Sequence, residues 1–307
     1  MTRVFIDGSA GTTGLRIHER LSGREDLTLV TLPDELRKDP LARKDALNSC
    51  DIAFLCLPDA AAVEAVSLVT NPDTVIIDTS TAHRTNSDWT YGFPELTGKR
   101  EEIAKSSRIA NPGCHASGFV ALIAPLIEKG ILKNSAKLSS FSLTGYSGGG
   151  KKMIAEYESE DRCGLLSAPR QYALGQEHKH LKEMVKICAL EYAPLFSPIV
   201  ADFYSGMEVS VPIFAEDLAL KKDELEEFYR AYYKEGLVHF VSSASEDGFL
   251  SASAFSGRDD MQISVFGNGE RLLLVSRFDN LGKGASGAAI QNMNIVLNVP
   301  EDMGLDV

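Results

Sequence analysis

Short apolar runs alternate with helix-like segments along the first part of the chain. The run RVFID predicts a strand; after a glycine turn, apolar Leu15, Ile17 and Leu21 are separated by charged residues, as in an amphipathic helix. The runs LTLVTL, DIAFLCLP and TVIIDTS repeat the strand pattern, and DAAAVEAVSLV reads as a helix between two of them. Strands that alternate with helices are typical of a parallel, doubly wound sheet. The pattern predicts an α/β protein whose residues 1–113 form a Rossmann-like domain.

The pattern changes after residue 113. The segments KLSSFSLTG, MEVSVPIF, LVHFVSS and MQISVFGNGERLLLVSRF are strand-like, GNGE is a good hairpin turn, and DELEEFYRAYYKE is an amphipathic helix. Strands that follow one another without regular crossover helices predict a mixed or antiparallel sheet. We therefore expect residues 114–284 to form a catalytic α+β domain, and a last helix, over about residues 285–307, to return to the first domain.

Composition excludes several classes of protein. A chain of 307 residues fits about two domains, and its net charge of −12 is spread over helix surfaces without a basic stripe, which makes nucleic acid a poor partner. No apolar run reaches the length of a membrane span, and MTRVFIDG begins a folded strand, so we expect a cytoplasmic location and no membrane partner. Five cysteines without CxxC or zinc-like spacing predict reduced thiols and no metal site.

The first turn carries a phosphate-binding pattern. Gly8, Gly11 and Gly14 lie between a strand and a helix in the stretch GSAGTTG, so main-chain N–H groups and the helix N-terminus point to one place. This favours a dinucleotide over a plain tight turn, although the spacing differs from the commoner G-x-G-x-x-G. The cofactor-binding candidates in this turn are Gly8, Ser9, Gly11, Thr12, Thr13 and Gly14.

The loop after the second predicted strand bears on the choice of dinucleotide. Asp34 and Glu35 stand where an acidic residue binds the ribose of NAD, whereas Arg37 and Lys38 follow at once and are suited to the 2′-phosphate of NADP. The loop supports either choice, and a solvated loop without a ligand is a third interpretation.

Two further segments offer anion-binding groups. The stretch DTSTAHRT ends a predicted strand and supplies Ser80 and Arg84 at its carboxyl end, where ligands of open α/β sheets bind. An arginine there is suited to a carboxylate or phosphate, although a surface arginine fits equally well. The stretch TGYSGGGKKMI, with Ser147 and Gly148, is either a flexible loop or an anion-binding main-chain loop.

Cys114 is the nucleophile candidate. NPG stops the preceding segment and an apolar, helix-length run begins at Cys114, so its sulfur lies near the positive end of a helix dipole, which lowers a thiol pKa. A cysteine nucleophile needs a proton partner, and His178 and His180 precede a helical segment in GQEHKHLKEM. A structural cysteine and a solvated helix start remain alternatives. The other histidines, His18, His83, His115 and His239, show no comparable pattern, and we expect them in surface or packing roles.

The chain resembles N-acetyl-gamma-glutamyl-phosphate reductases in their shorter form and, more distantly, aspartate-semialdehyde dehydrogenases. The matching stretches run over nearly the whole length: GSAGTTG, DTSTAHR, YGFPEL, NPGCHASG, TGYSGGGK, GQEHKHLKEM and DNLGKGASGAAIQNMN. The resemblance implies an NADP(H)-dependent oxidoreductase of arginine biosynthesis that reduces a small-molecule acyl phosphate to an aldehyde through a cysteine thioester, and it implies a homo-oligomer, dimer or tetramer.

Residue roles follow from the same resemblance. It implies Cys114 as nucleophile and His178 as acid/base. The substrate-binding candidates are Arg84, Ser147, Gly148, Tyr172 and His180, and the cofactor candidates beyond the glycine turn are Arg37, Ser80, Asn280 and Gly284.

Three alternatives compete with this interpretation. A relative that acts on aspartyl or aminoadipyl phosphate needs the same chemistry and differs only in its pocket. A catalytically silent NADP-binding regulator needs neither a thiol at a helix start nor a histidine pair. A cysteine hydrolase leaves the glycine turn unexplained.

Overall fold

The structure is a computed structural model that describes residues 1–307. The chain divides into two units. Unit 1 comprises Met1–Gly113 and Ala285–Asp306, and unit 2 comprises Cys114–Gly284 with Val307. The chain thus leaves unit 1 immediately before Cys114 and returns to it immediately after Gly284.

Unit 1 is built on a parallel six-stranded sheet. Its strands are β1 (Thr2–Asp7), β2 (Leu27–Val30), β3 (Ile52–Leu55), β4 (Val75–Asp78), β5 (Thr90–Tyr91) and β6 (Arg108–Ala110). Its helices are α1 (Thr12–Leu21), α2 (Pro40–Ser49), α3 (Asp59–Leu68), α4 (Lys99–Ile103) and, after unit 2, α9 (Gly287–Val296). The strand order is β2-β1-β3-β4-β6-β5, with every neighbouring pair parallel. The predicted Rossmann-like sheet is confirmed.

Alternating side chains of β1 enter two separate cores, which is why helices cover both faces of this sheet. Val4 and Ile6 pack with residues of α1 and α9, whereas Phe5 packs with residues of α2 and α3. The amides of α9 are buried as well: Asn292 donates to the carbonyl of Gly92 at 2.9 Å. Because buried amides need partners, this hydrogen bond fixes α9 against the segment that follows β5.

Unit 2 contains a seven-stranded mixed sheet. Its strands are β7 (Ser139–Gly145), β8 (Arg170–Gln171), β9 (Leu195–Ala201), β10 (Met207–Phe214), β11 (Val238–Phe240), β12 (Met261–Gly267) and β13 (Arg271–Phe278). Its helices are α5 (Cys114–Glu128), α6 (Gly150–Glu158), α7 (His180–Ile187) and α8 (Lys222–Tyr232). The strand order is β11-β12-β13-β10-β7-β9-β8. The β7–β9 and β11–β12 pairs are parallel, so the sheet is mixed. Of the two predicted alternatives, a mixed or an antiparallel sheet, the mixed sheet is confirmed.

The helix that begins at Cys114 is buried on nearly all sides. Eleven of its fifteen residues are buried, because α5 lies on the sheet of unit 2. The approach is close at Gly118, where an added Cβ would lie 2.5 Å from Val209 Cγ2 and 2.6 Å from Ser276 Oγ. Only glycine allows this distance between helix and sheet. No helix of the chain is both long enough and apolar enough to cross a membrane.

A proline inside α5 is compensated by a tyrosine of α8. Pro125 has no N–H, so the carbonyl of Ala121, four residues earlier, has no helical donor. The Tyr233 hydroxyl, just beyond α8, donates to this carbonyl at 2.7 Å. Next to it, the hydroxyl of Tyr229 donates to the carbonyl of Leu122. These two phenols tie α8 to the helix that carries Cys114.

Replacing Tyr233 by phenylalanine is expected to lower the free energy of unfolding by about 1–2 kcal/mol, because the Ala121 carbonyl is left buried without a donor. In a Pro125→Ala background, the substituted alanine has a main-chain N–H that can donate to that carbonyl, so the same replacement is expected to cost clearly less. Chemical denaturation of the four proteins measures this coupling. Tyr232→Phe on the same helix is the matched control, since Tyr232 donates to Glu128 at the surface. Equal costs of Tyr233→Phe in both backgrounds would contradict the compensation.

Candidate active site

The glycine turn of unit 1 closes tightly around its own backbone. Gly8 has φ +87°, and a Cβ on it would lie 2.3 Å from the carbonyl oxygen of Cys56. A Cβ on Gly14 would lie 2.5 Å from the carbonyl oxygen of Gly8. Gly11 precedes α1 and no side chain caps this helix, so the N–H groups of its first turn, which begins with Thr12, are available to an anion. The turn fits the pyrophosphate of a dinucleotide.

A cavity of 470 Å³ in unit 1 begins at this turn. Its lining includes Gly8, Ser9, Leu32, Arg37 and Lys38, but neither Asp34 nor Glu35. Asp34 instead pairs with Arg37 at 2.7 Å, and both side chains are exposed. An exposed pair of this kind is weak, so Arg37 is available to a stronger anionic partner.

Ser80 and Arg84 follow the carboxyl end of β4. Both side chains donate hydrogen bonds to other residues of the protein. The Ser80 hydroxyl donates to the Asp78 carboxylate at 2.7 Å, and His83 Nδ1 lies 2.6 Å from the same carboxylate. Arg84 donates from Nε to the carbonyl of Asn111 at 2.9 Å and from Nη2 to the carbonyl of Thr79 at 2.8 Å. Arg84 therefore ties the end of β4 to the segment that leads to Cys114. The ligand-binding roles of Ser80 and Arg84 stay predictions.

Ser147, Gly148 and Asn280 are close together in unit 2. Asn280 donates to Ser147 Oγ at 3.0 Å and accepts from the N–H of Gly206 at 2.9 Å. The glycine run is not an open loop, because a 3₁₀ turn over Tyr146–Gly149 leads directly into α6. These residues form a corner held by hydrogen bonds, and their proposed roles toward ligands remain predictions.

Cys114 is the first residue of α5 and is partly exposed. A Cβ added to Gly284 would lie 2.9 Å from Cys114 Cβ, so Gly284 packs directly against the cysteine. The predicted helix start is therefore present, with the thiol at the end of the helix where the dipole is positive.

A cluster of aromatic rings lies beside this helix start. The ring centroid of His115 is 5.5 Å from that of His178 and 5.6 Å from that of His180. The centroids of His178 and His180 are 4.7 Å apart. Tyr172 Oη lies 2.7 Å from His115 Nε2. Three predicted residues of the stretch 172–180, Tyr172, His178 and His180, thus meet at the residue that follows Cys114.

The segment that carries His178 is held to β9. The side-chain amide of Gln176 donates to the carbonyl of Phe196 and accepts from its N–H, both at 2.8 Å. The N–H of Tyr172 donates to the carbonyl of Pro198 at 3.0 Å. Gln176 was not predicted from the sequence. A glutamine side chain that pairs with the main chain of a strand leaves no local sequence pattern.

His115, for which we expected a surface or packing role, is a buried member of this cluster. Its ring is buried, and Nδ1 lies 2.6 Å from Ser142 Oγ while Nε2 contacts Tyr172. The available signal was its position directly after the candidate nucleophile, but the partner on β7 is known only from the folded structure.

Burial decides the charge of these histidines. It lowers the pKa of His178 from 6.5 to about 4, with a further contribution from Lys179. It lowers the pKa of His115 to about 3, with a further contribution from His178. Burial also raises the pKa of Tyr172, and negative charge on Cys114 adds to that shift. Both histidines and the phenol are therefore neutral at neutral pH.

The tautomer of His178 follows from its hydrogen bond. The N–H of His180 donates to His178 Nδ1 at 3.2 Å. A neutral imidazole carries one proton, so it resides on Nε2. His178 thus presents a hydrogen-bond donor, which suits an oxygen that gains negative charge. No group of three or more His, Cys, Asp or Glu side chains is arranged to hold a metal ion.

Comparison with known proteins assigns both units. Residues 4–106 match the family model of the semialdehyde dehydrogenase NAD binding domain, and residues 114–280 match that of the semialdehyde dehydrogenase dimerisation domain. A protein of Nostoc sp. named N-acetyl-gamma-glutamyl-phosphate reductase 2 is 46% identical, over 99% of this chain and 99% of its own length. The chain belongs to the N-acetyl-gamma-glutamyl-phosphate reductase family.

Further relatives agree with this assignment. The N-acetyl-gamma-glutamyl-phosphate reductase of Sinorhizobium fredii is 43% identical, over 96% of this chain and 99% of its own. The resemblance noted from sequence is confirmed, as are the prediction that the chain is an oxidoreductase and the prediction of a nicotinamide dinucleotide cofactor.

Solved structures show the same fold. Aspartate semialdehyde dehydrogenase II of Vibrio cholerae, complexed with ASA, superposes with a TM-score of 0.72 at 16% identity, covering 97% of this chain and 98% of that one. Aspartate semialdehyde dehydrogenase of Candida albicans with NADP gives a TM-score of 0.67 at 15% identity, covering 97% and 99%.

Acid is expected to destabilise this protein in a way that depends on the buried histidines. His178 binds a proton in the unfolded chain below its ordinary pKa of 6.5 but in the folded chain only near its lowered pKa of about 4. Its contribution to stability is therefore complete above the unfolded pKa and is lost as pH falls toward the folded one. Thermal unfolding from about pH 7.5 to about pH 5 is expected to show a falling Tm. The slope is expected to be shallower in His178→Asn, and an unchanged slope would contradict the assignment.

Proposed function

We propose that this enzyme reduces N-acetyl-gamma-glutamyl phosphate to N-acetylglutamate semialdehyde with NADPH, a step of arginine biosynthesis, through a thioester on Cys114. The substrate is the one named by its relatives. The observation that supports the mechanism is the neutral donor cluster, formed by His178 and Tyr172, beside the thiol at the start of α5. A cysteine at a helix N-terminus is suited to nucleophilic attack, and neutral donors are suited to a developing oxyanion.

The first half of the reaction transfers the acyl group. The Cys114 thiolate attacks the carbonyl carbon of the acyl phosphate, the new C–S bond forms, and the C–O bond to phosphate breaks. The phosphate leaves and takes up a proton. The product is a thioester, which accepts hydride more readily than a carboxylate does.

The second half regenerates the thiolate. Bound NADPH supplies the hydride. As the thioester carbonyl carbon is reduced, its oxygen becomes negative, and His178 Nε2–H donates a hydrogen bond to it. When the C–S bond breaks, the oxygen re-forms a carbonyl, the aldehyde leaves, and Cys114 is again a thiolate. His178 thus acts as a hydrogen-bond donor, which corresponds to the acid part of its predicted acid/base role.

The remaining predicted residues complete this proposal. We assign cofactor binding to the glycine turn, Arg37, Ser80, Asn280 and Gly284. We assign substrate binding to Arg84, Ser147, Gly148, Tyr172 and His180.

Loss of the nucleophile is expected to abolish the reaction without loss of cofactor. Phosphate-dependent formation of NADPH from N-acetylglutamate semialdehyde and NADP is followed by absorbance. Cys114→Ser is expected to lower kcat by at least about 10³-fold. His178→Asn is expected to lower it by about 10²–10³-fold, since it removes an oxyanion donor. Binding of NADPH stays intact in both variants.

Cys163→Ser is the matched control, because Cys163 is free and exposed. Activity of Cys114→Ser near that of the unmodified enzyme would contradict the mechanism. Activity of the unmodified enzyme only with the aspartyl or aminoadipyl analogue would contradict the substrate, and no activity with any analogue would favour the silent regulator.

The cavity favours NADP(H) over NAD(H). No carboxylate of Asp34 or Glu35 lines it, whereas Arg37 and Lys38 both do. A phosphate on the ribose gains charge-assisted hydrogen bonds from two cations, but a ribose hydroxyl gains little from them.

Replacing both Arg37 and Lys38 by alanine is expected to raise the Kd for NADP by about 10–100-fold, as the loss of a charge-assisted contact predicts. The Kd for NAD is expected to change little. Lys44→Ala is the control, because Lys44 is exposed on α2 and does not line the cavity. Isothermal calorimetry measures both ligands, and equal losses for NADP and NAD would contradict the assignment.

We propose that the enzyme is a homodimer formed through the open face of the unit 2 sheet, in line with the dimerisation domain that it matches. Phe141, Leu195 and Phe214 are exposed on this face. Strand register places them together, since Phe141 pairs with Ser210 of β10, four residues from Phe214, and Ser139 pairs with Leu195. Three large apolar side chains on one sheet face are typical of an interface.

Introducing charge into this face is expected to dissociate the dimer. Light scattering of the Leu195→Lys and Phe214→Lys double variant is expected to show the monomer mass of 33.3 kDa. Phe249→Lys is the control, because Phe249 is equally apolar and exposed but lies outside this strand face. An unchanged oligomeric mass in the double variant would place the interface elsewhere.

A further inference from the structure

Ser142 lies under the site and has a single hydrogen-bond partner. It belongs to β7 and pairs with Val209, so it shares the sheet face that packs against α5. Its side chain is 0% exposed, and its hydroxyl contacts only His115 Nδ1, at 2.6 Å. A buried hydroxyl proton without an acceptor is costly.

This arrangement sets the direction of a hydrogen-bond chain. If Nδ1 of His115 were the donor, the proton of fully buried Ser142 would have no acceptor; if Ser142 is the donor, the proton left without an acceptor is that of Tyr172, whose side chain is only partly buried. His115 is neutral, because burial lowers its pKa to about 3. Its one proton is therefore on Nε2, and it is donated to Tyr172 Oη at 2.7 Å.

Tyr172, at the end of this series of hydrogen bonds, then has a hydroxyl proton that is not donated to His115. His115 is the only hydrogen-bond partner of Tyr172 Oη, and here the phenol oxygen accepts. The Tyr172 proton must therefore turn away from His115. Tyr172 Oη contacts the side chain of His115, the residue next to Cys114 at the start of α5. Burial raises the pKa of Tyr172 and negative charge on Cys114 adds to that shift, in agreement with a thiol near this hydroxyl.

We infer that Ser142 and His115 are positioning residues that turn the Tyr172 hydroxyl toward Cys114, where it donates a hydrogen bond to the thiolate. The inference rests on the proposed function in one respect, namely that Cys114 is the nucleophile. With the opposite direction, Tyr172 would donate to His115 and present its lone pairs to the sulfur, which would disfavour the thiolate. We call the hydrogen-bond chain from Ser142 through His115 to Tyr172 the relay. It stabilises the thiolate without an imidazolium partner.

The relay is tested first by the tautomer of His115. Nitrogen NMR of the ¹⁵N-histidine-labelled enzyme distinguishes protonated from unprotonated ring nitrogens, and His115→Gln identifies the His115 signals. The expected result is a neutral ring with the proton on Nε2. In Ser142→Ala the expected result is a mixture of tautomers, because Nδ1 has lost its donor.

Ser140 offers a matched control. It lies two residues away on β7, is also 0% exposed, and its hydroxyl has no hydrogen-bond partner. Ser140→Ala makes the same chemical change in the same strand face, so it is expected to leave the His115 tautomer unchanged. A proton on Nδ1 of His115 in the unmodified enzyme would overturn the inference.

The effect on Cys114 is measured by alkylation, which requires neither substrate nor cofactor. Iodoacetamide labelling of the Cys114 peptide, quantified by mass spectrometry against pH, gives a midpoint for thiolate formation. Tyr172→Phe and His115→Leu are expected to raise this midpoint by about one pH unit, as the loss of a charge-assisted donor predicts. His115→Gln is expected to restore most of it, because the glutamine amide can donate to Tyr172.

The other titratable groups in this cluster are His178, His180 and, on the neighbouring segment, Lys179 and Glu183. All remain in every relay variant, so a shift of the midpoint reports the relay. Equal midpoints in Tyr172→Phe, His115→Leu and the unmodified enzyme would overturn the inference. Failure of the proposed substrate in the activity assay leaves this result unaffected, so the two failures are distinguishable.

Discussion

Burial of α5 is the constraint on which the site depends. The helix lies on the sheet at a distance that only Gly118 permits, and Tyr233 supplies the hydrogen bond that Pro125 removes. These contacts fix the helix whose first residue is Cys114. The thiol therefore lies at the positive end of the helix dipole. Packing of α5 in the protein, and not contact with a ligand, positions it there.

The same burial removes charge from the residues around the thiol. Burial lowers the pKa of His115 to about 3 and that of His178 to about 4, so neither ring forms an imidazolium–thiolate pair at neutral pH. What remains are oriented neutral donors: Nε2–H of His178 and the hydroxyl of Tyr172. Donors fixed before the reaction stabilise a developing oxyanion without reorganisation, which is the advantage of a preorganised site.

Sequence alone predicted the features that depend on local pattern. The parallel sheet of unit 1 followed from alternating strand and helix periods, and the glycine turn from its position between β1 and α1. His115 was missed because its role depends on Ser142, a residue of another element whose register brings it under α5. Gln176 and the short strand β8 were missed because their partner, β9, is distant in sequence.

The central claim is that Cys114 carries the acyl group as a thioester. Intact-mass and peptide mass spectrometry after mixing the enzyme with N-acetyl-gamma-glutamyl phosphate, in the absence of NADPH, tests it directly. We predict one N-acetylglutamyl adduct per chain on the Cys114 peptide, release of an equal amount of phosphate, and loss of the adduct when NADPH is added. Phosphate release in step with NADPH oxidation but with no adduct, or an adduct that persists in Cys114→Ser, would contradict it.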